Sequence, residues 1–295
     1  MRVSNQSTYD AIKYQLAKSV SDLVTANGVV SSGKRINKLS DDPVGLVQVL
    51  SLRQSLSNID QLDRNVSTAR TWLDGGETVL DSVKDLITDM KTLAVQMANG
   101  TVGPDERASA AIQVQGAIEQ IESLANTQIN GQYIFAGTKT DTKPFEITGS
   151  TVNYYGNDTP FSIKIGRTAT VDVGQNGETV FGNDTTGIFR TLLNFRDALN
   201  SNDANGINNA MDNLDDDLNT MISAVSDIGS KGVRLDVKEK ILGDLKLTYT
   251  ERKSSLEDAD ILAAIADLQS KETAYQAALS SSAKVMNVSL LDYLK

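Results

Sequence analysis

The chain has 295 residues and a formal net charge of −10, and it contains no histidine and no cysteine. The absence of these two residue types excludes zinc and thiolate sites, thiol nucleophiles, histidine general bases and disulfide bonds. The negative charge opposes binding to nucleic acid or to an anionic membrane surface. We therefore predict no metal, no cofactor, no nucleic-acid partner and no membrane partner, and we do not expect an enzyme.

The composition favours long helices over a single globule, because aromatic residues make up only 5% of the chain. No run of 18 apolar residues occurs, so no segment is expected to span a bilayer. The opening stretch from Met1 to Gln15 has no apolar core of the kind that a secretion signal needs. Taken alone, these features predict a cytoplasmic protein.

The N-terminal segment predicts a helix with a narrow apolar stripe. Its apolar residues recur at steps of three, four or seven, as in a heptad repeat. The stripe positions that we expect to serve in assembly are Ile12, Leu16, Leu23 and Val30. Such a stripe buries little surface and needs a partner, which could be a second terminal helix or the protein's own core.

A polar connector follows this helix, in the sequence SSGKRINKLSDDPVG from Ser31 to Gly45. Gly33 is suited to the left-handed residue that ends a helix, while Asp42 and Pro43 are suited to the N-cap and first turn of the next one. On pattern alone the stretch could be an ordinary loop. We interpret it as a joint between two helical segments. The residues assigned to this joint are Ser32, Gly33, Arg35, Ile36, Asn37, Asp41, Asp42, Pro43 and Gly45.

The middle of the chain predicts further helices that enclose a small β-rich insertion. A second apolar stripe runs from Val49 to Met97, and we expect a kink or an interruption at the Gly75-Gly76 pair, which costs roughly 2 kcal/mol in helix propensity. Another helix begins at Pro104. Between Tyr133 and Phe181, which hold 7 of the chain's 15 aromatic residues, the apolar pattern changes to the period of two that strands show.

Helices return at Ile188 and continue to a second candidate joint, Asp258-Ala-Asp260. A last narrow stripe follows, so the chain begins and ends with matching stripes. The assembly positions in this last stripe are Ile265, Leu268, Leu279, Met286 and Leu290. We treat the acidic run from Asp212 to Asp217 as a solvated helix face, because it lacks the ligand spacing of a calcium loop.

These patterns predict a mainly α fold, namely an elongated helical bundle whose N- and C-terminal helices pair as a coiled coil, plus a small β-rich insertion. The predicted terminal coiled-coil domain comprises residues 1–42 and 256–295. The predicted central helical bundle, which includes a β-hairpin, comprises residues 43–148 and 182–255. Residues 149–181 form the predicted outer insertion.

The joint motif resembles the signature of the bacterial flagellin superfamily near the end of its N-terminal helix. A second string, from Asn130 to Gly137 with Pro144-Phe145 after it, is similar to the branch of the superfamily that joins the flagellar hook to the filament. The opening Met1-Arg2-Val3-Ser4 agrees with that branch. A short filament flagellin is the alternative, and an enzyme with a carboxylate site on the insertion is a third hypothesis.

The resemblance implies a structural subunit that is exported through the flagellar type III channel, without a cleaved signal, and assembles outside the cell in the flagellum. It implies that the paired ends line the inner tube of a helical polymer and stay largely disordered in the free monomer. The implied partners are further copies of the chain, an adjacent hook-associated protein, flagellin or a cap protein, and an export chaperone. We expect the chaperone at Leu279, Met286 and Leu290 of the C-terminal helix.

Overall fold

The structure is a computed structural model, which describes the backbone of residues 2–293 and the side chains of residues 6, 7 and 9–284. Seven helices and six short strands make up this part of the chain, so the mainly α fold with a small strand-containing insertion is confirmed. The helices are α1 (Arg2–Ser32), α2 (Pro43–Met97), α3 (Pro104–Ala125), α4 (Gly177–Phe181), α5 (Ile188–Asn200), α6 (Ala204–Glu257) and α7 (Ile261–Tyr293). The strands are β1 (Gln128–Ile129), β2 (Gln132–Tyr133), β3 (Phe145–Thr148), β4 (Thr151–Tyr154), β5 (Ser162–Lys164) and β6 (Thr170–Asp172).

The described residues form two compact units. One unit is formed by the chain up to Ile59 together with the chain from Asp244 onward, and the other is Asp60–Gly243. We call them the terminal unit and the central unit. The predicted division at residues 42, 148, 181 and 255 stays a prediction. None of the described helices is long and apolar enough to serve as a membrane span.

In the central unit, helix α2 is continuous through Gly75 and Gly76, so an interruption there was the wrong prediction, and the kink stays a prediction. The pair has a packing role instead, because a Cβ atom on Gly75 would lie 2.3 Å from Cδ1 of Ile129. Close approach of another segment therefore requires glycine at position 75, at a cost in helix propensity. Trp72, one turn earlier, is buried, and its ring lies 5.1 Å from that of Phe161.

The insertion consists of three antiparallel hairpins, β1–β2, β3–β4 and β5–β6. In the first hairpin Gln128 pairs with Tyr133, across a turn whose residues Asn130 and Gly131 have φ values of 52° and 81°. These left-handed values explain the Asn-Gly pair at the turn. The other registers are Phe145 opposite Tyr154 and Ser162 opposite Asp172.

An aromatic cluster fills the space between these hairpins and helices α4 and α5. Phe145 lies at its centre, with ring centroids 5.0 Å from Tyr154, 5.5 Å from Phe181 and 5.2 Å from Phe189. The Tyr154 hydroxyl donates to the carbonyl oxygen of Phe135 at 3.1 Å. Burial raises the pKa of Tyr154 to about 12, so this hydroxyl stays protonated.

The acidic run on α6 is only partly solvated, and the prediction of a fully solvated face was wrong for Asp217. This side chain is 8% exposed, whereas Asp212 and Asp216 are exposed. Burial raises the pKa of Asp217 to about 6, against a smaller opposing effect of the Thr191 hydroxyl. Local sequence gave no sign of this burial, because the helix is polar on several faces over this stretch.

Candidate assembly site

The terminal unit pairs α1 with α7 along a narrow seam. Helix α1 ends at the joint and α7 begins there, so the two paired helices are antiparallel and extend to the same side of the joint. Buried and half-buried positions recur in steps of four and three along both helices, which is the spacing of a coiled-coil seam. These seam positions are residues 12, 16, 19, 23, 26 and 30 in α1, where residues 28 and 29 are also half-buried, and residues 264, 268, 271, 275, 278 and 282 in α7.

Much of this seam is small or polar. Among the described side chains of α1 and α7, Ala26 alone is fully buried, with 6% exposure. Other seam positions hold Ser19, Lys271 and Ser282. These small and polar positions bury little apolar surface, so pairing of the two helices depends on the larger apolar side chains of the seam.

The structure places the predicted assembly residues on two different faces. Ile12, Leu16, Leu23, Val30 and Leu268 are half-buried on the seam. Ile265 and Leu279 lie one position beyond the seam and are 46% and 42% exposed. Met286 and Leu290 lie outside the described side chains. The role of all these residues in assembly stays a prediction, because assembly involves a second copy.

Both helices also carry large apolar side chains that point away from the seam. Leu262 on α7 is 82% exposed and Tyr14 on α1 is 73% exposed. Exposed apolar surface of this kind marks sites of protein association. The remaining members of these outer faces are Tyr9, Val20, Val24 and Ile261.

The joint brings the two connectors together through backbone hydrogen bonds. Gly33 ends α1 with φ of 68°, the left-handed value predicted for it, and its N–H donates to the carbonyl oxygen of Val29 at 2.9 Å. The carbonyl oxygen of Gly33 accepts from the N–H of Ala259 at 3.0 Å. The N–H of Arg35 donates to the carbonyl oxygen of Glu257 at 2.7 Å. The end of α1 is thereby paired with the start of α7.

Asp41 and Asp42 order the connector that leads into α2. The Asp41 carboxylate accepts from the N–H groups of Lys38 at 2.8 Å and Asn37 at 3.0 Å, and these bonds lower its pKa. Oδ1 of Asp42 accepts from the N–H of Gly45 at 2.8 Å, which is the predicted N-cap. Pro43 is the first residue of α2, as expected.

Further joint residues have defined packing roles. Ile36 is buried against Gly45, where a Cβ atom would lie 2.8 Å from Cδ1 of Ile36. A larger residue at position 45 would therefore displace the side chains of Ile36 and Asp42. Oγ of Ser32 accepts from the N–H of Lys34 at 3.1 Å, and a guanidinium nitrogen of Arg35 donates to the carbonyl oxygen of Leu256 at 2.8 Å.

The joint contains a buried ion-pair cluster that sequence reasoning missed. Glu257, the last residue of α6, is 1% exposed, and its Oε1 accepts from Lys34 Nζ at 2.5 Å and from the Arg53 guanidinium. Burial alone raises the pKa of Glu257, but the hydrogen bonds from Lys34 and Arg53 lower it below its usual 4.5. The carboxylate is therefore charged at neutral pH.

No local signal identifies Glu257, because an acid at the end of a polar helix is normally solvated. Its only sequence cue is its position next to the second candidate joint, Asp258-Ala-Asp260. The structure confirms a helix break there, and Oδ1 of Asp260 caps α7 by accepting from the N–H groups of Leu262 and Ala263 at 3.0 and 3.2 Å.

A pair of terminal helices joined to a helical unit with a small insertion is the fold of a flagellin-type subunit. The N-terminal helical region of bacterial flagellin matches residues 3–140, and its C-terminal helical region matches residues 211–294. Together the two regions cover most of the chain, which belongs to the bacterial flagellin family.

Within that family the chain is similar to flagellar hook-associated protein 3 of Escherichia coli (strain K12), with 28% identity across 100% of both chains. A flagellin of Listeria innocua is 24% identical over 90% of this chain and 88% of its own. Among solved structures, a putative flagellar hook-associated protein from Vibrio parahaemolyticus has the same fold, with a TM-score of 0.69 at 23% identity over 74% of this chain and 100% of its own.

Proposed function

We propose that the chain is a structural subunit of the bacterial flagellum that joins the hook to the filament. The observation that carries this proposal is the alignment with the hook-associated relative from Escherichia coli, which extends over the whole of both chains. The Listeria flagellin matches less of the chain at lower identity, so filament flagellin is the secondary reading. As a flagellar component, the chain works outside the cell.

Assembly is proposed to use the outer faces of the α1–α7 pair. The pairing of α1 with α7 leaves Leu262 and Tyr14 largely exposed. Burying such side chains between copies contributes about 1.5–3 kcal/mol each. The partner is a second copy of the chain in a helical polymer, in which residues 1–42 and 256–295 form the inner tube and residues 149–181 lie outside.

The other proposed partners are an adjacent hook-associated protein on one side and flagellin or a cap protein on the other. Export through the flagellar type III channel requires an unfolded chain, and we place an export chaperone on the last helix. Leu279 is exposed on α7 and supports this proposal. The proposed contact also includes Met286 and Leu290, whose side chains are not among those that the structure describes.

Electron microscopy of a strain that lacks this chain tests the proposal. Loss of a junction subunit is expected to leave hooks without filaments, with filament subunits shed into the medium, and re-expression of the chain should restore filaments. If the deletion instead leaves hooks that still carry their junction proteins, and no filament subunits appear in the medium, the chain is a filament flagellin.

A further inference from the structure

An acidic pocket lies on the central unit, between helix α6 and the insertion. Its volume is about 390 Å³, which is within the size range of ligand pockets in proteins. The charged side chains that line it are Asp158 and Asp172 from the insertion and Asp227 and Lys231 from α6. Three carboxylates and one ammonium group leave this pocket with an excess of negative charge.

Two of the three carboxylates have no cation beside them within the described part of the chain. The Asp227 carboxylate pairs with Lys231 Nζ at 2.6 Å. Asp158 instead accepts from the side-chain amide of Asn176 at 3.3 Å, and Asp172 accepts from a serine hydroxyl. These donors are neutral, so the pocket retains the charge to bind a further cation.

A buried amide in the same pocket also lacks a partner. Gln175 lines the pocket and is 8% exposed, and among the described atoms its Nε2 has no hydrogen-bond partner. A buried donor without an acceptor is costly, so the occupant that fits best supplies an acceptor as well as a cation. A metal ion supplies no acceptor, whereas a protein segment has a carbonyl oxygen next to each basic side chain.

The β5–β6 hairpin of the same unit presents an arginine of this kind. Arg167 lies in the closing turn, where the N–H of Gly166 donates to the carbonyl oxygen of Ala169 at 3.1 Å. The neighbouring Ile165 is 4% exposed, so the turn is anchored in the unit. Arg167 itself is exposed, and its guanidinium has no ion pair or hydrogen bond within the described residues. A guanidinium binds carboxylates through paired hydrogen bonds and is common at the centres of protein interfaces.

Arg167 and the pocket belong to different surfaces of one copy. Asp172, which lines the pocket, is paired with Ser162 at the open end of the hairpin, whereas Arg167 lies in the turn at the other end. The turn also lies beside Lys238, which is about 16 Å along α6 from Asp227 at ~1.5 Å per residue. Two different complementary surfaces on one chain suit a head-to-tail contact, which repeats along an open helical polymer.

We propose that Arg167 of one copy inserts into the acidic pocket of a second copy. Its guanidinium binds Asp158 and Asp172 there, and a carbonyl oxygen of the turn accepts from Gln175. This contact rests on the proposed function, since it joins two copies within the flagellum. It lies wholly in the central unit and forms on assembly, so it requires no order of the terminal helices in the free monomer.

Cross-linking in flagella tests the proposal, because the chain has no cysteine of its own. A deletion strain co-expresses two single-cysteine chains, T168C next to Arg167 and S223C at the pocket, with a tag on one of them. Neither chain carries both cysteines, so a short bismaleimide can join the turn to the pocket only between copies. We expect a cross-linked dimer of the two chains in purified flagella.

Adding R167E to the T168C chain should reduce the yield of this dimer roughly tenfold or more, because a carboxylate then enters an acidic pocket. R234E is the matched control, since Arg234 is exposed on α6 and the variant makes the same change in charge. It should leave the yield unchanged. Flagella that contain both chains without the dimer, or a yield that R167E does not lower, would overturn the proposal.

Filament counts give a second measurement with chains that lack cysteine. R167E should lower the number of filaments per cell severalfold and R234E should not, so a wild-type count in R167E would also contradict the contact. Failure of the proposed function has a different signature. A filament flagellin would still form the dimer, whereas a chain that is absent from flagella contradicts the proposed function and the contact with it.

Discussion

The two ends of the chain and its insertion stabilise their folds in opposite ways. The insertion buries large aromatic side chains, with Phe145 in contact with three further rings. The α1–α7 pair buries a thin seam around Ala26 and leaves Leu262 exposed. A large aromatic core is complete within one copy, whereas a thin seam with apolar outer faces leaves apolar surface for the neighbouring copies that we propose. The contrast separates the part of the chain whose core is complete from the part to which we assign assembly.

The largest effect on stability is expected from Phe145→Ala in the aromatic cluster. Removing a fully buried phenyl ring costs about 3–5 kcal/mol in the free energy of unfolding. Fluorescence of Trp72, the only tryptophan and a residue of the central unit, reports the transition in urea. The control Ile112→Ala changes a side chain that is mostly exposed and should shift the midpoint little. An unchanged midpoint in Phe145→Ala would show that the cluster does not stabilise the unit.

Asp217→Asn should stabilise the central unit above neutral pH. Because the pKa of Asp217 is raised to about 6 from 3.8, the folded state binds a proton more tightly than the unfolded state does. The stabilisation that this proton supplies is fully present below pH 4 and is lost as the pH rises through about 6.

The asparagine variant removes this pH dependence, and it should be more stable than the wild type by about 1–3 kcal/mol at pH 8. Urea titrations at pH 4 and pH 8, followed by Trp72 fluorescence, measure the difference. Asp216→Asn is the control, since Asp216 is the exposed neighbour. Equal gains for the two variants at pH 8 would show that net charge, and not burial of Asp217, is responsible.

A matched pair of leucines on α7 separates helix pairing from assembly. Leu268 is half-buried on the seam, so Leu268→Ser should weaken the pairing of α1 with α7 by about 1 kcal/mol and speed proteolysis of α1 in the assembled subunit. Leu262 is 82% exposed, so Leu262→Ser should leave the rate of proteolysis unchanged and reduce incorporation into flagella. Equal proteolysis rates in both variants would contradict the assignment of the two faces.

Local sequence predicted the features of this fold that depend on neighbouring residues. The end of α1 at Gly33, the cap at Asp42 and the spacing of the α1 seam follow from backbone chemistry and periodicity. The burial of Glu257 and Asp217 depends on segments that are distant in sequence, so no local pattern reveals it. The contact between Gly75 and Ile129 has the same origin, since it joins segments that are distant in sequence.

The smallest effect is expected from Arg70→Met on the surface of the central unit. Arg70 of α2 binds Asp236 and Glu239 of α6, with 3.0 Å to the latter, and all three side chains are well exposed. Exposed ion pairs contribute about 0.2–1 kcal/mol because water and salt screen the charges. The variant should lower the urea midpoint slightly at low salt and not at all in ~1 M salt, where the Debye length is about 3 Å.

Arg64→Met, an exposed position on the same helix, controls for the loss of one positive charge. A loss of several kcal/mol, or a loss that persists at high salt, would mean that the stability of the central unit depends on these surface charges.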